Sequence, residues 1–401
     1  MGGRRNGRVL VAPFAIVALA VSALLSAPPA SAETIGGERL ANAGRTVSLL
    51  DGASPLPPVL AETWLIADAD TGEVLAHKGA HVLRPPASTL KMLTALTVLP
   101  RTSPDDVYVA TPKATDTYGS KVGLRVGKRY TMNQLWLAVF LPSANDAAIA
   151  VAEANGGVRK TVAQMNEVAK ALGAYDTVAR NTSGLDAPGQ LSSAYDLALI
   201  ARAGLARDDF ARYARTARAK FPDSRGQGSH TIYTTNRMLL HGWRGAIGVK
   251  TGFTSKAGRT FVGAAERKGR TLIVSLMGIK ESSETAATKL LSWGFANADR
   301  VAPVGVLVDS STLAGLIREQ GGVQGQADGQ VDGEAAGEDA STSSTEPSDA
   351  SDEASGAAEL RSQESTSASM LPAGLLGLAI ACALGVGLLL IRRSSRRAPP
   401  A

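Results

Sequence analysis

Ser88 and Lys91 stand three residues apart in Ser88-Thr89-Leu90-Lys91, just past the extended lead Pro85-Pro86-Ala87. The apolar run from Lys91 to Leu99 reads as a buried helix that Pro100 stops, so the serine sits at a helix start. Positions three apart share a helix face, which brings the Ser88 hydroxyl within hydrogen-bond reach of the Lys91 amine. That is a nucleophile beside a base. An ordinary lysine, with a pKa of about 10.4, is a poor base at neutral pH. Burial, the positive helix N-terminus and any neighbouring cation all favour its neutral form. The same helix start offers backbone N–H groups to a developing oxyanion. The blander reading is a capping serine with a surface lysine one turn on, a spacing that chance supplies about once in a chain of this size.

Two later stretches carry compatible chemistry. Ser143-Ala144-Asn145 falls in the break between a helix over Met132 to Leu141, stopped by Pro142, and another over Asp146 to Ala154. Alone, that triplet reads equally well as a helix cap built on Asn145 or Asp146. Lys250-Thr251-Gly252 occurs once, inside a strand-like run from Ala246 to Thr254. Gly252 lets another backbone approach closely, and Lys250 is a cation able to hold a carboxylate and to help keep Lys91 neutral.

Taken in order, these three motifs resemble the serine–lysine, serine–asparagine and Lys-Thr-Gly set of penicillin-binding proteins and class A β-lactamases. From about Thr63 to Val308 the chain resembles a low-molecular-mass penicillin-binding protein, a serine-type D-alanyl-D-alanine carboxypeptidase. The resemblance implies Ser88 as nucleophile, Lys91 as its base and Ser143 as a proton relay near Lys91. It also implies Asn145 as a donor to the substrate peptide and the Phe253 N–H as a second oxyanion donor. Lys250, Thr251 and Arg237 would hold the substrate carboxylate, Arg237 because related carboxypeptidases carry an arginine in that place. A surface salt bridge is the alternative for Arg237. Implied partners are peptidoglycan stem peptides, with β-lactams as inhibitors, and neither a cofactor nor a metal is implied.

The loop Asn181 to Asp186 resembles the one that borders the site in that family. It has no glutamate placed like the deacylating base of class A β-lactamases, and Gln190 stands near where a histidine is frequent. An endopeptidase on cross-links, a β-lactamase and a non-catalytic penicillin-binding surface module remain as alternatives. There is no Gly-x-Ser-x-Gly elbow and no histidine–carboxylate metal motif. His77 and His81 are expected as surface histidines.

The elements that must position these residues alternate in type along the chain. Thr63 to Ala67 and Val74 to His77 read as a hairpin about Asp70-Thr71-Gly72. Helical patterns dominate from Ser88 to about Ala217, including a capping box at Thr131 and Gln134, Thr161 to Leu172 closed by Gly173, Ser193 to Leu205, and Asp209 to Thr216. Strands return at Ala246 to Thr254, Arg259 to Glu266 and Thr271 to Met277, and Glu284 to Ala296 reads as a closing helix. The expected fold is α/β in the α+β sense: a mainly antiparallel sheet covered by helices, with an inserted helical subdomain, β-lactamase/DD-peptidase-like as the resemblance implies.

Residues 1–32 have a basic start, an apolar run and a small-residue site at Ala30-Ser31-Ala32, and read as a signal peptide. Residues 33–62 read as a polar, Pro-rich surface lead and 63–308 as the catalytic domain. An acidic linker follows over 309–369, then an apolar span at 370–391 and a basic tail at 392–401. The expected location is a single-pass cell-membrane protein, catalytic domain outside and C-terminus cytoplasmic. The one cysteine, Cys382, falls in the apolar span, so no intramolecular disulfide is possible. The net charge of +6 is unevenly spread, and no nucleic-acid partner is expected from it.

Overall fold

The computed structural model describes residues 34–223 and 228–309, besides Gly2. The leader, the acidic linker beyond Asp309, the apolar span with Cys382 and the basic tail lie outside the described residues, Gly2 excepted. Among the described residues no helix is long and apolar enough to cross a membrane.

The strands are β1 (Arg45–Leu49), β2 (Thr63–Asp68), β3 (Glu73–Lys78), β4 (Val107–Val109), β5 (Arg129–Thr131), β6 (Arg218–Pro222), β7 (Ser229–Tyr233), β8 (Ala246–Thr254), β9 (Gly258–Arg267), β10 (Arg270–Ile279), β11 (Val301–Ala302) and β12 (Gly305–Val306). The helices are α1 (Lys91–Val98), α2 (Pro112–Thr115), α3 (Met132–Phe140), α4 (Asn145–Ala154), α5 (Val158–Ala171), α6 (Ala194–Leu205), α7 (Asp208–Arg215), α8 (Arg237–Leu240) and α9 (Ser283–Asn297).

The main sheet runs β11-β1-β3-β2-β10-β9-β8, with β12 also on β3, and every pairing is antiparallel. Both faces are buried, so alternate side chains enter different cores. Along β2, Leu65 and Ala67 join the core beneath α1 and α6, while Trp64 and Ile66 join the core beneath α9. The β9–β10 hairpin closes through Lys268 (φ 52°) and Gly269 (φ 77°), the paired left-handed residues a two-residue turn demands. Between β3 and β8 lies the helical half, in which α1 packs against both α5 and α6. The capping box at α3 is present as the sequence predicts: Gln134 N donates to Thr131 Oγ1 and Thr131 N to Gln134 Oε1.

Three features depart from expectation. Residues 33–62 are not a surface lead: β1 pairs with β3 in the register Thr46↔His77, and Leu40 is fully buried. A five-residue strand with arginine, threonine and serine among its members gives little apolar signal. His77 is consequently buried, accepting from Ala80 N at Nδ1 and donating from Nε2 to Arg39 O, and burial holds its pKa down. His81 is half-buried, bridging Asp176 (2.7 Å) and Ile35 O (3.0 Å); burial opposes its charge, but the bond to Asp176, the charges of Asp176 and Asp196 and the bond to Ile35 O together raise its pKa. The short ribbons β4–β5 and β6–β7 were not expected either; their strands are three to five residues long.

Candidate active site

Ser88 lies in a single helical turn, Ala87–Leu90, that leads into α1. No side chain caps this start, so the capping role for Ser88 fails. A helix start leaves its first N–H groups without carbonyl partners inside the helix, and Ser88 N–H is one of these. Ala87 takes a left-handed φ of 50°, which turns the chain sharply just before the serine. Gly184 packs on that turn: any Cβ there would collide with the Ala87 carbonyl. Gly184→Ala should therefore displace Ser88 and lower kcat by about 100-fold, the order of cost of a 1 Å misplacement. The check is steady-state turnover alongside a thermal melt, to separate misplacement from unfolding.

Lys91 is buried, and its Nζ lies 2.9 Å from Ser88 Oγ, 2.7 Å from Asn145 Oδ1 and 2.6 Å from the Ser183 carbonyl oxygen. Burial pushes its pKa well below the lysine range, the Lys250 cation pushes the same way, and Asp146 opposes both. A neutral amine has two N–H donors and one lone pair. The two carbonyl-type acceptors take the donors, leaving the lone pair facing the Ser88 hydroxyl. That is the arrangement a general base needs.

Each partner is itself fixed. Asn145 Nδ2 donates to Tyr118 O at 2.6 Å, leaving one amide hydrogen without a partner among the described residues, and Asn145 N donates to Ser120 O. Neither Asn145 nor Asp146 caps α4. The Asp146 carboxylate instead receives Val122, Gly123 and Leu124 N–H at 2.9–3.0 Å, pinning the loop that carries Ser120. Asn181 Oδ1 gathers the N–H groups of Ser183 and Gly184, and Gln190 Oε1 accepts from Arg180 N and Asn181 N, so Gln190 shapes the loop that presents the Ser183 carbonyl. Ser143 has a left-handed φ of 62°, and its buried hydroxyl has no hydrogen-bond partner among the described residues. It lines the cleft with Ser88 but makes no hydrogen bond to Lys91; Asn145 does that.

Strand β8 forms the opposite wall. A Cβ on Gly252 would fall 2.8 Å from Ser88 N, so the glycine is what allows the strand to lie against the serine's backbone. Lys250 is buried, with its pKa pushed down to about 7 by that burial, and Nζ donates to Thr251 O at 3.0 Å. Thr251 Oγ1 pairs with Thr235 Oγ1 at 2.6 Å, and Thr254 Oγ1 donates to Asp186, tying the Asn181 to Asp186 loop to the strand. Phe253 is exposed at the rim. The cleft, about 550 Å³, also takes in Arg237 at the start of α8 and Arg259, which lies opposite Phe253 in the β8–β9 register. Both arginines are exposed, and among the described residues neither forms an ion pair, so the salt-bridge reading of Arg237 does not hold. No cluster of metal-ligating side chains occurs among the described residues.

Residues 52–281, more than half of the chain, match the model of the D-alanyl-D-alanine carboxypeptidase family. The chain belongs to this family. It is accordingly a serine-type carboxypeptidase, a hydrolase and a low-molecular-mass penicillin-binding protein. It is 42% identical over 252 residues to D-alanyl-D-alanine carboxypeptidase DacB2 of Mycobacterium tuberculosis, covering 61% of this chain and 86% of that one. A crystal structure of a D-alanyl-D-alanine carboxypeptidase from the same organism superposes with a TM-score of 0.61 at 40% identity, covering 64% of this chain and 99% of that one. The crystal structure of a Streptomyces DD-transpeptidase superposes with a TM-score of 0.58 at 29% identity, covering 61% and 100%. The α+β fold read from the sequence is thus the DD-peptidase fold.

Proposed function

We propose that this protein removes the terminal D-alanine from peptidoglycan pentapeptide stems through an acyl-enzyme on Ser88, and that penicillin traps that intermediate. The supporting observation is the buried Lys91 amine, whose two donors are taken by Asn145 and Ser183 while Ser88 Oγ lies 2.9 Å away. Ser88 Oγ attacks the D-Ala-D-Ala carbonyl and its proton passes to Lys91 Nζ. The N–H groups of Ser88 and Phe253 receive the oxyanion. The C–N bond then breaks, and D-alanine leaves with a proton relayed by Ser143, whose hydroxyl is otherwise unengaged among the described residues. Water hydrolyses the ester and restores the serine. Asn145 orients Lys91 and offers its remaining amide hydrogen to the substrate peptide.

Lys250, Thr251 and Arg237 bind the free carboxylate, and this sets the exopeptidase preference over cross-link cleavage. Arg237 and Arg259, neither in an ion pair among the described residues, favour an anionic C-terminus. A charge-assisted pairing of roughly 1.5–3 kcal/mol corresponds to one to two orders of magnitude in kcat/KM. A D-Ala-D-Ala peptide should therefore outperform its C-terminal amide by about 10- to 100-fold, and Arg237→Ala should shrink that ratio. Equal rates on acid and amide in the wild type would move the reading to an endopeptidase. The same proposal places the domain outside the cell, delivered by residues 1–32 and held at the membrane by 370–391, with the arginine-rich tail cytoplasmic.

A further inference from the structure

Thr260, on β9, is fully buried, and the next residues along the strand, Phe261 and Val262, are buried apolar side chains. A hydroxyl in such a place needs a partner. This one finds it 174 residues away: Oγ1 donates to the Pro86 carbonyl oxygen at 2.8 Å. Pro86 stands two residues before Ser88, and Ala87 between them holds the left-handed φ of 50° that turns the chain.

The same threonine is tied to the opposite wall of the cleft. Across the β8–β9 ladder it pairs with Gly252, the residue before Phe253. A Cβ added to Gly252 would strike both Thr260 Oγ1 and Ser88 N, so the threonine hydroxyl and the serine N–H meet over that glycine. The two N–H groups assigned above to the oxyanion come from separate pieces of chain, Ser88 from the helical turn and Phe253 from β8. Thr260 joins those pieces, by its backbone pairing to the strand and by its hydroxyl to the turn.

We propose that Thr260 is a positioning residue that sets the spacing of the two oxyanion donors. The proposal rests on the acyl-enzyme reading of Ser88. Thr260 is not part of the cleft lining, so it acts through the Ser88 turn and never on the substrate. Donors must lie roughly 2.7–3.1 Å from the developing oxyanion, a tolerance narrow enough for a small shift of the turn to matter.

Substitutions at 260 grade that shift. Thr89 Oγ1 also donates to Pro86 O, at 2.6 Å, so this carbonyl keeps a partner when the Thr260 hydroxyl is removed. Valine sets a methyl where the hydroxyl lay 2.8 Å from Pro86 O; a methyl needs about 3.5 Å, and the turn is pushed away from β8. Alanine only slackens the tie. Serine keeps it.

The test compares two inhibitors on the full-length protein and on Thr260→Val, Thr260→Ala and Thr260→Ser, with a thermal melt of each. One is a peptide boronic acid, which bonds to a serine oxygen and presents a tetrahedral oxyanion. The other is the same peptide with a methylene in place of the scissile carbonyl, which has no oxygen to present. Thr260→Val should lower kcat/KM for D-alanine release and weaken the boronic acid by about 10- to 100-fold each, leaving the methylene analogue within about threefold of wild type. Thr260→Ala should shift the first two in the same direction by less, and it carries the test if the valine variant does not fold. Thr260→Ser should restore both to within about threefold. Boronic acid affinity that Thr260→Val leaves intact, or equal weakening of the two inhibitors, would overturn the assignment of Thr260 alone. A wild type that binds both inhibitors equally well would instead remove the acyl-enzyme reading, and this proposal with it.

Discussion

Replacing Ser88 by alanine should lower kcat for D-alanine release on the order of 10⁶-fold, the size of loss that follows removal of a nucleophile acting as one unit with its base. Stability should change little. The hydroxyl gives up one 2.9 Å contact with Lys91 and a long 3.4 Å contact with the Ser183 carbonyl, and the cavity left is a single oxygen. A coupled assay for free D-alanine, run beside a thermal melt, separates the two effects. A variant that kept its rate to within tenfold while folding normally would move the nucleophile elsewhere in the cleft, with Ser143 the first candidate.

The second large effect belongs to the two buried lysines. Lys91→Ala should cost about 10²- to 10⁴-fold in kcat, the usual range for a general base. The pH profile carries more information. Lys91 acts only when neutral, so activity falls as pH drops through its lowered pKa. Lys250 binds a carboxylate only when charged, so kcat/KM, which reports the free enzyme, falls as pH rises through about 7. The two groups repel, and the limbs of the bell belong to the pair. Lys250→Arg keeps the cation without a titration in this range. It should extend the alkaline limb upward by more than one pH unit; an unmoved limb would mean that Lys250 does not control it.

How far the sequence discloses this site depends on whether side chains or backbone do the work. Ser88, Lys91, Asn145, Lys250 and Gly252 announce themselves because their roles rest on side-chain type, or on the lack of one, at fixed spacings. The strand Ala246–Thr254 is also legible to the residue, its ends marked by turns. The Ser183 carbonyl is not, since any residue has a carbonyl. Only the Asn181 and Gln190 bonds that aim it, and the Gly184 that seats it on Ala87, carry a signal, and that signal needs the fold to be read. Asp146 looks like a helix cap in sequence because it follows a loop; besides the adjacent Ala147 N–H, its carboxylate receives three N–H groups more than twenty residues earlier. Arg259 is an unremarkable surface arginine until strand register sets it opposite Phe253. The same limit hid β1, whose place in the sheet is dictated by β3 and β11 and hardly at all by its own five residues. His77 was misplaced with it, because a histidine beneath an unrecognised strand looks exposed.

The central claim is that Ser88, activated by Lys91, is the group acylated. It is tested most directly by treating the protein with penicillin, quenching in acid, digesting and locating the added mass. One adduct per chain is expected, on the peptide containing Ser88, absent from Ser88→Ala and slow to form in Lys91→Ala. An adduct on Ser143 or Ser183, or none at saturating penicillin with protein shown to be folded, would contradict the account.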